Sequence, residues 1–216
     1  MEDISHLTSA NYNDVRQTLR SGDILLCSGN SMFSTLIKEA TNSQWSHVAF
    51  ILRLDVINRI MVLESVESIG VRTIPLSSYA CDYNGTGKGY PGRVLLARHQ
   101  QVHESDISKL SRLAIDLLGY PYHADEIVHI ATRLGLATLG FHEHPDSMKQ
   151  RAFLCSEYAQ VCFESIGIHI NYNPAGFIAP ADFARDPQVK PLCYLNVGPV
   201  LAAAQSTATV SLVTHD

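Results

Sequence analysis

A strict alternation runs from Ser46 to Leu52, and it dictates more about the fold than any other segment. His47, Ala49 and Ile51 fall on one side, and Val48, Phe50 and Leu52 on the other. Only a strand has this two-residue period. Ile60 to Glu64 predicts a second strand, and a turn around Asp55 to Arg59 makes the two a hairpin. Ile69 to Ile74 reads as a third strand, and Asp23 to Cys27 and Arg93 to Arg98 as two more.

Helices fill the intervals. Asp14 to Leu19 predicts a short one, stopped by Ser21-Gly22. Met32, Phe33, Leu36, Ile37 and Ala40 recur at helical spacing behind Asn30 or Ser31 as cap, and that helix should close before Asn42. Asp106 to Leu118 carries Ile107, Leu110, Leu113, Ala114 and Leu117 on one stripe, with Gly119 where a C-terminal cap belongs. Ala124 to Leu134 predicts a further helix, followed by a polar segment from Phe141 to Gln150. Cys155, Ala159, Cys162, Phe163 and Ile166 then form an apolar stripe ended by Gly167, so Cys155 opens a helix on its buried face. Tyr83 to Gly92, with four glycines and Pro91, reads as an exposed loop of the kind that borders a site.

At 216 residues the chain is expected to form one domain, 1–216. Its net charge of -5 comes without a polybasic block, which argues against nucleic acid as a partner. No apolar run reaches the ~18 residues of a membrane span, and Met1 to Leu19 reads as neither secretory signal nor anchor. The five cysteines are odd in number and widely spaced, with no CxxC pair. Reduced thiols and a cytoplasmic location are therefore expected.

A thiol becomes a good nucleophile where its thiolate is stabilised, and a helix N-terminus does this with free N–H groups and the positive end of its dipole. Cys155 has that predicted position. Cys27 ends a strand, Cys81 and Cys193 sit near loops, and Cys162 lies mid-helix on the apolar stripe. A catalytic cysteine also needs an imidazole within hydrogen-bond reach and a group to orient it. His47, at the start of an apolar strand, is placed to be partly buried, whereas His6, His99, His103 and the His142/His144 pair have polar neighbours that suit a solvated surface. Glu64 follows Ile60 to Leu63 directly and shares a face with Ile60 and Val62, so it reads as a half-buried carboxylate in need of a partner. Each residue also has a plain reading. Cys155 is a small buried hydrophobe, His47 a satisfied core histidine, and Glu64 a strand end turned to solvent, although Glu67 suits that last role better.

Five stretches come in an order that resembles the permuted papain-like amidases of YaeF/YiiX type, which are related to NlpC-type cell-wall endopeptidases. They are Ser21 to Leu25, Ala40 to Val48, Val62 to Val66 with Pro75-Leu76, Gly119-Tyr-Pro-Tyr122, and Phe153-Leu-Cys-Ser-Glu-Tyr158, with a looser match over Gly176 to Asp182. The matching core runs from about residue 21 to 185. The resemblance implies an α+β fold in which helices pack on a small antiparallel sheet holding the His47 and Glu64 strands. It also implies a thiol hydrolase with Cys155 as nucleophile, His47 as base and Glu64 as orienting acid, and places Tyr122 near the substrate pocket. The expected substrate is a small amide, a peptide or a cell-wall fragment, and the chemistry calls for no cofactor and no metal.

Two other readings compete. A thiol acyltransferase or lipase, like the lecithin:retinol acyltransferase relatives, shares the permuted order but has a second histidine where this chain has Glu64. A metal-binding or binding-only module would use His142, His144 and His123 or His129, without any supporting thiolate spacing.

Overall fold

The computed structural model describes residues 4, 6–122, 152–174 and 176–198. Its centre is a seven-stranded sheet. The strands are β1 (Ser9–Ala10), β2 (Ile24–Gly29), β3 (His47–Leu54), β4 (Arg59–Val66), β5 (Gly70–Pro75), β6 (Gly92–His99) and β7 (Val189–Leu195). They lie in the order β1-β7-β6-β2-β3-β4-β5. Every described pair is antiparallel except β1 with β7, which is parallel. The sheet is therefore mixed and larger than the small antiparallel one expected, because β1 and β7 extend it past β6.

The β3–β4 hairpin forms as the alternation predicts, with Phe50 opposite Leu63 and Ile51 opposite Val62. Its turn uses Asn58 in the left-handed region, a conformation that asparagine tolerates. β7 carries Pro191, which cannot donate a ladder hydrogen bond, and the β6–β7 register shifts between Leu96 and Ala97 to accommodate it.

Helices α1 (Tyr12–Val15), α2 (Met32–Thr41), α3 (Leu76–Cys81), α4 (Ile107–Asp116), α5 (Cys155–Glu164) and α6 (Pro180–Arg185), with single 3-10 turns at Asp55–Ile57, Tyr83–Gly85 and Glu104–Asp106, complete the described elements. Ser31 caps α2 by accepting from the Ser34 amide, and Asn42 ends it in the left-handed region. One face of the sheet, with Leu26, Val48, Phe50 and Leu63, packs against α4, α5 and α6. The opposite face, with Leu25, Ala49, Ile51 and Val62, packs against Val15, Leu76 and Tyr79. The fold is α+β. No helix among the described residues is long and apolar enough to cross a membrane.

Three expectations change at this level. His99 is not on a solvated surface but buried, its ring packed against Phe163 at 6.2 Å and its Nδ1 accepting from the Gln101 amide at 3.2 Å. Cys193 lies within β7 rather than near a loop. The Tyr83 to Gly92 loop is only partly exposed, because Tyr90 is buried and stacks on Tyr79 at 5.3 Å while Tyr83 meets both rings edge-on at 5.0 Å. The expected Ala124 to Leu134 helix and the polar 141–150 segment lie outside the described residues.

Candidate active site

His47 opens β3, on the face that also carries Ala49 and Ile51. The β3–β4 register, continued by one residue past the Phe50–Leu63 pair, sets Glu64 beside Ala49 and diagonally across from His47. The two side chains meet, with His47 Nε2 2.8 Å from Glu64 Oε2. In the next strand Arg72 stands directly opposite Glu64. Its Nε and Nη2 both donate to Glu64 Oε1, at 2.8 and 2.7 Å. The Tyr79 hydroxyl from α3 adds a short hydrogen bond to Glu64 Oε2.

Glu64 is thus wholly buried rather than half-buried, and four donor groups converge on its two oxygens. Burial alone would raise its pKa, but the hydrogen bond and charge of His47, then the Arg72 charge and the Tyr79 hydrogen bond, hold it below the usual carboxylate value. Arg72 is itself braced by Asn84 Oδ1 at 2.9 Å and the Tyr83 hydroxyl at 3.3 Å. The glycine-rich loop therefore supports the acid through Arg72.

Cys155 begins α5, where the amides of the first turn have no acceptor within the helix. Three bonds fix this helix start. The Leu154 amide donates to Glu157 Oε2 at 2.8 Å, Ser65 Oγ donates to the Phe153 carbonyl at 2.7 Å, and Ser156 Oγ donates to the Ile178 carbonyl at 2.8 Å. The Phe153 amide donates to the Pro121 carbonyl at 3.0 Å, which draws the Gly119–Tyr122 turn alongside. That turn in turn pairs with the start of β5, where a Cβ on Gly70 (φ +87°) would collide with the Tyr120 carbonyl.

The His47 ring also adjoins Cys155, with which it borders one cleft. With Nε2 given to Glu64, Nδ1 is left for the thiol. Burial alone would lower the His47 pKa, but the charge and hydrogen bond of Cys155, followed by those of Glu64, reverse this and raise it to about 10.

Two clefts meet at Cys155. A wider one of about 300 Å³, more polar in its lining than the other, is bordered by His47, Ser65, Glu67, Arg72, Asn84 and Tyr90. A narrow apolar one of about 30 Å³ lies between α2 and the segment around Ile178. Ile37, Tyr122 and Cys155 border both.

A family model described as permuted papain-like amidase enzyme, YaeF/YiiX, C92 family, matches residues 18–173. The chain belongs to this family. Among solved structures, the chain is similar to the metalloprotein YiiX from Escherichia coli O157:H7, at 19% identity and a TM-score of 0.46, over 81% of this chain and 96% of that one. No curated protein matches.

Within this member of the permuted papain-like amidase family the structure brings His47, Glu64 and Cys155 together and sets Tyr122 at the junction of the clefts. Glu67 is exposed, as its sequence position suggested. Arg72, Tyr79 and Tyr83 escaped the reading of the sequence. The one available signal was a charged residue, Arg72, inside the apolar strand Val71 to Ile74. Among the described residues no three His, Cys, Asp or Glu side chains gather as a metal-binding group. His123, His129, His142 and His144 lie outside those residues.

Proposed function

We propose that this family member is a cysteine amidase or peptidase, acting as one catalytic domain, with Cys155 as nucleophile, His47 as acid–base and Glu64 as positioning residue. The observation that carries the reading is the His47 ring held between the buried Glu64, at 2.8 Å, and the Cys155 side chain at a helix start. The sulfur attacks the acyl carbon of an amide, and the first amides of α5 stabilise the oxyanion. His47 donates its proton to the nitrogen as the C–N bond breaks, so the amine leaves and a thioester remains. Water then attacks the thioester, gives a proton to His47 and releases the carboxylic acid. The sulfur leaves as thiolate, and with the ring protonated again the starting state is restored.

The raised His47 pKa supports this cycle, because the ring keeps through neutral pH the proton that the leaving nitrogen needs. Tyr122 is assigned to substrate binding by its place between the clefts. Small amides, peptides and cell-wall fragments are the proposed substrate classes. The five free thiols support a reducing compartment, and the cytoplasm is the proposed location.

The reading is tested with peptide, isopeptide, ester and lipid panels, mass spectrometry of a trapped thioester, and Cys155→Ala as control. The expected result is amide turnover and a mass increment on Cys155 that the variant abolishes. Turnover that survives Cys155→Ala sinks the proposal, and exclusive transfer to a non-water acceptor would favour the acyltransferase reading.

A further inference from the structure

We infer that the apolar cleft beside Cys155 is the acyl-side subsite, so that the substrate carries an apolar group on the carbonyl side of the scissile bond and a polar amine on the other. The inference rests on the catalytic reading above and adds a polarity to it. His47 borders the polar cleft and not the apolar one. The group that departs must receive its proton from His47, so it departs into the polar cleft, among Ser65, Glu67, Ser68 and Asn84. The acyl group stays on sulfur and extends to the opposite side of Cys155.

That side is apolar almost throughout. Leu36, Ile37 and Ala40 of α2 face Phe177, Ile178 and Pro180 across it. α2 buries none of its ten residues, and Met32 and Leu36 are 83% and 37% exposed. An amphipathic helix normally covers its apolar stripe against the core. Here part of the stripe forms the cleft wall, where an apolar acyl group would cover it. The thioester formed there is the one already described, with the amine released and the apolar acyl group on Cys155 Sγ. A fatty acyl chain and an aliphatic or aromatic amino-acid side chain present the same chemistry to this wall.

Two series of coumarin amides separate these sources, one of acetate, hexanoate and decanoate, and the other of N-acetylated alanine, leucine and phenylalanine. In one arm kcat/KM should climb by tenfold or more from the smallest to the largest acyl group, since each methylene buried contributes about three- to fourfold. Ala40→Phe fills the cleft and Leu36→Gln makes its wall polar, so each should cut the large-to-small ratio by about tenfold. Glu39→Gln, on the exposed side of α2, should leave the ratio as it is. A ratio that is flat in both arms, or that neither cleft variant changes, overturns the inference.

Binding of the products gives a readout independent of turnover. Octanoate or N-acetyl-leucine should protect Cys155 from iodoacetamide better than acetate does, and equal protection overturns the subsite. Failure of the catalytic reading looks different, as turnover surviving Cys155→Ala or as preferential labelling of another cysteine.

Discussion

Glu64→Gln keeps the shape of the proposed positioning residue and removes one acceptor, and the structure indicates what must then give way. Four donor groups converge on the carboxylate, from His47, Tyr79 and twice from Arg72. An amide has one oxygen and one NH2. Arg72 is charged and only 11% exposed along its side chain, so the amide oxygen is expected to turn toward it and the NH2 toward His47. Nε2 of His47 must then accept, so the ring can no longer carry a proton on both nitrogens and the protonated form used in the reaction is lost. Loss of the correct tautomer in a comparable triad costs about 10⁴ in kcat. Rotation of the Tyr79 hydroxyl offers partial relief, so about 10² to 10⁴ is expected here, or about 3–5 kcal/mol on the barrier. Stability should fall as well, because breaking a buried ion pair leaves Arg72 under-compensated, at about 3–5 kcal/mol. The assay is kcat on the best amide of the panel, beside a thermal melt confirming that the variant is folded at the assay temperature. Activity within twofold of the parent, with Glu67→Gln losing it instead, would refute both the assignment and the reasoning from the β3–β4 register.

Three further outcomes are expected. Iodoacetamide at neutral pH should label Cys155 before the other thiols, since burial pushes Cys27 and Cys193 up and Cys162 to about 12; first labelling of any of these counts against the nucleophile. The pH profile of kcat/KM should fall as pH rises through about 10, where His47 gives up the proton needed by the leaving group. Because the folded His47 pKa lies above its unfolded value of about 6.5, its contribution to stability is complete below that value and lost as pH rises through 10. Glu64 has the opposite sign: its folded pKa is depressed, so its contribution is present above the unfolded value and lost as pH falls through the folded one, and chemical denaturation across pH should show both edges. Gly70→Ala should cost on the order of 1–3 kcal/mol from its positive φ alone, and more from the Tyr120 contact, with a melting temperature lower by about 2–4 °C per kcal/mol.

What the sequence disclosed is what local chemistry encodes. The alternation from Ser46 to Leu52 became β3 (His47–Leu54), and the 3.6-residue stripe from Cys155 became α5 with Cys155 as its first residue. Periodicity is repeated several times within such segments, and that repetition makes it legible. β1 has two residues and no period to read, while β7 interrupts its own pattern with Lys190 and Pro191 and is held by pairing with β6. His99 sits among polar neighbours in sequence, but Phe163, its packing partner, comes from a distant helix. Arg72 is the sharpest case. Its charge was visible inside an apolar strand, but that it faces Glu64 depends on the β4–β5 register, which the side chains of β5 alone do not specify.

The same distinction explains how a permuted chain order can yield one site. His47 and Glu64 are 17 residues apart and meet through a hairpin, a contact that can form early and locally. Tyr79 and Arg72 reach Glu64 from the next elements of the chain, so the acid and its donors form a nearly contiguous block from β3 to α3. Cys155 arrives from the far side of the sheet on α5, positioned by the Ser65–Phe153 bond from β4 and by the Ser156–Ile178 bond. The block and the helix meet at the His47–Cys155 pair, at the Ser65–Phe153 bond, and where Phe50 packs on Tyr158 and Phe163 at 5.5 and 5.8 Å. A connection between them can therefore be cut or rerouted while the geometry survives, provided that β4 still holds the segment before Cys155. Ser65, adjacent to Glu64 and facing the other way, makes that bond, so successive residues of one strand hold Glu64 on one face and the segment before Cys155 on the other.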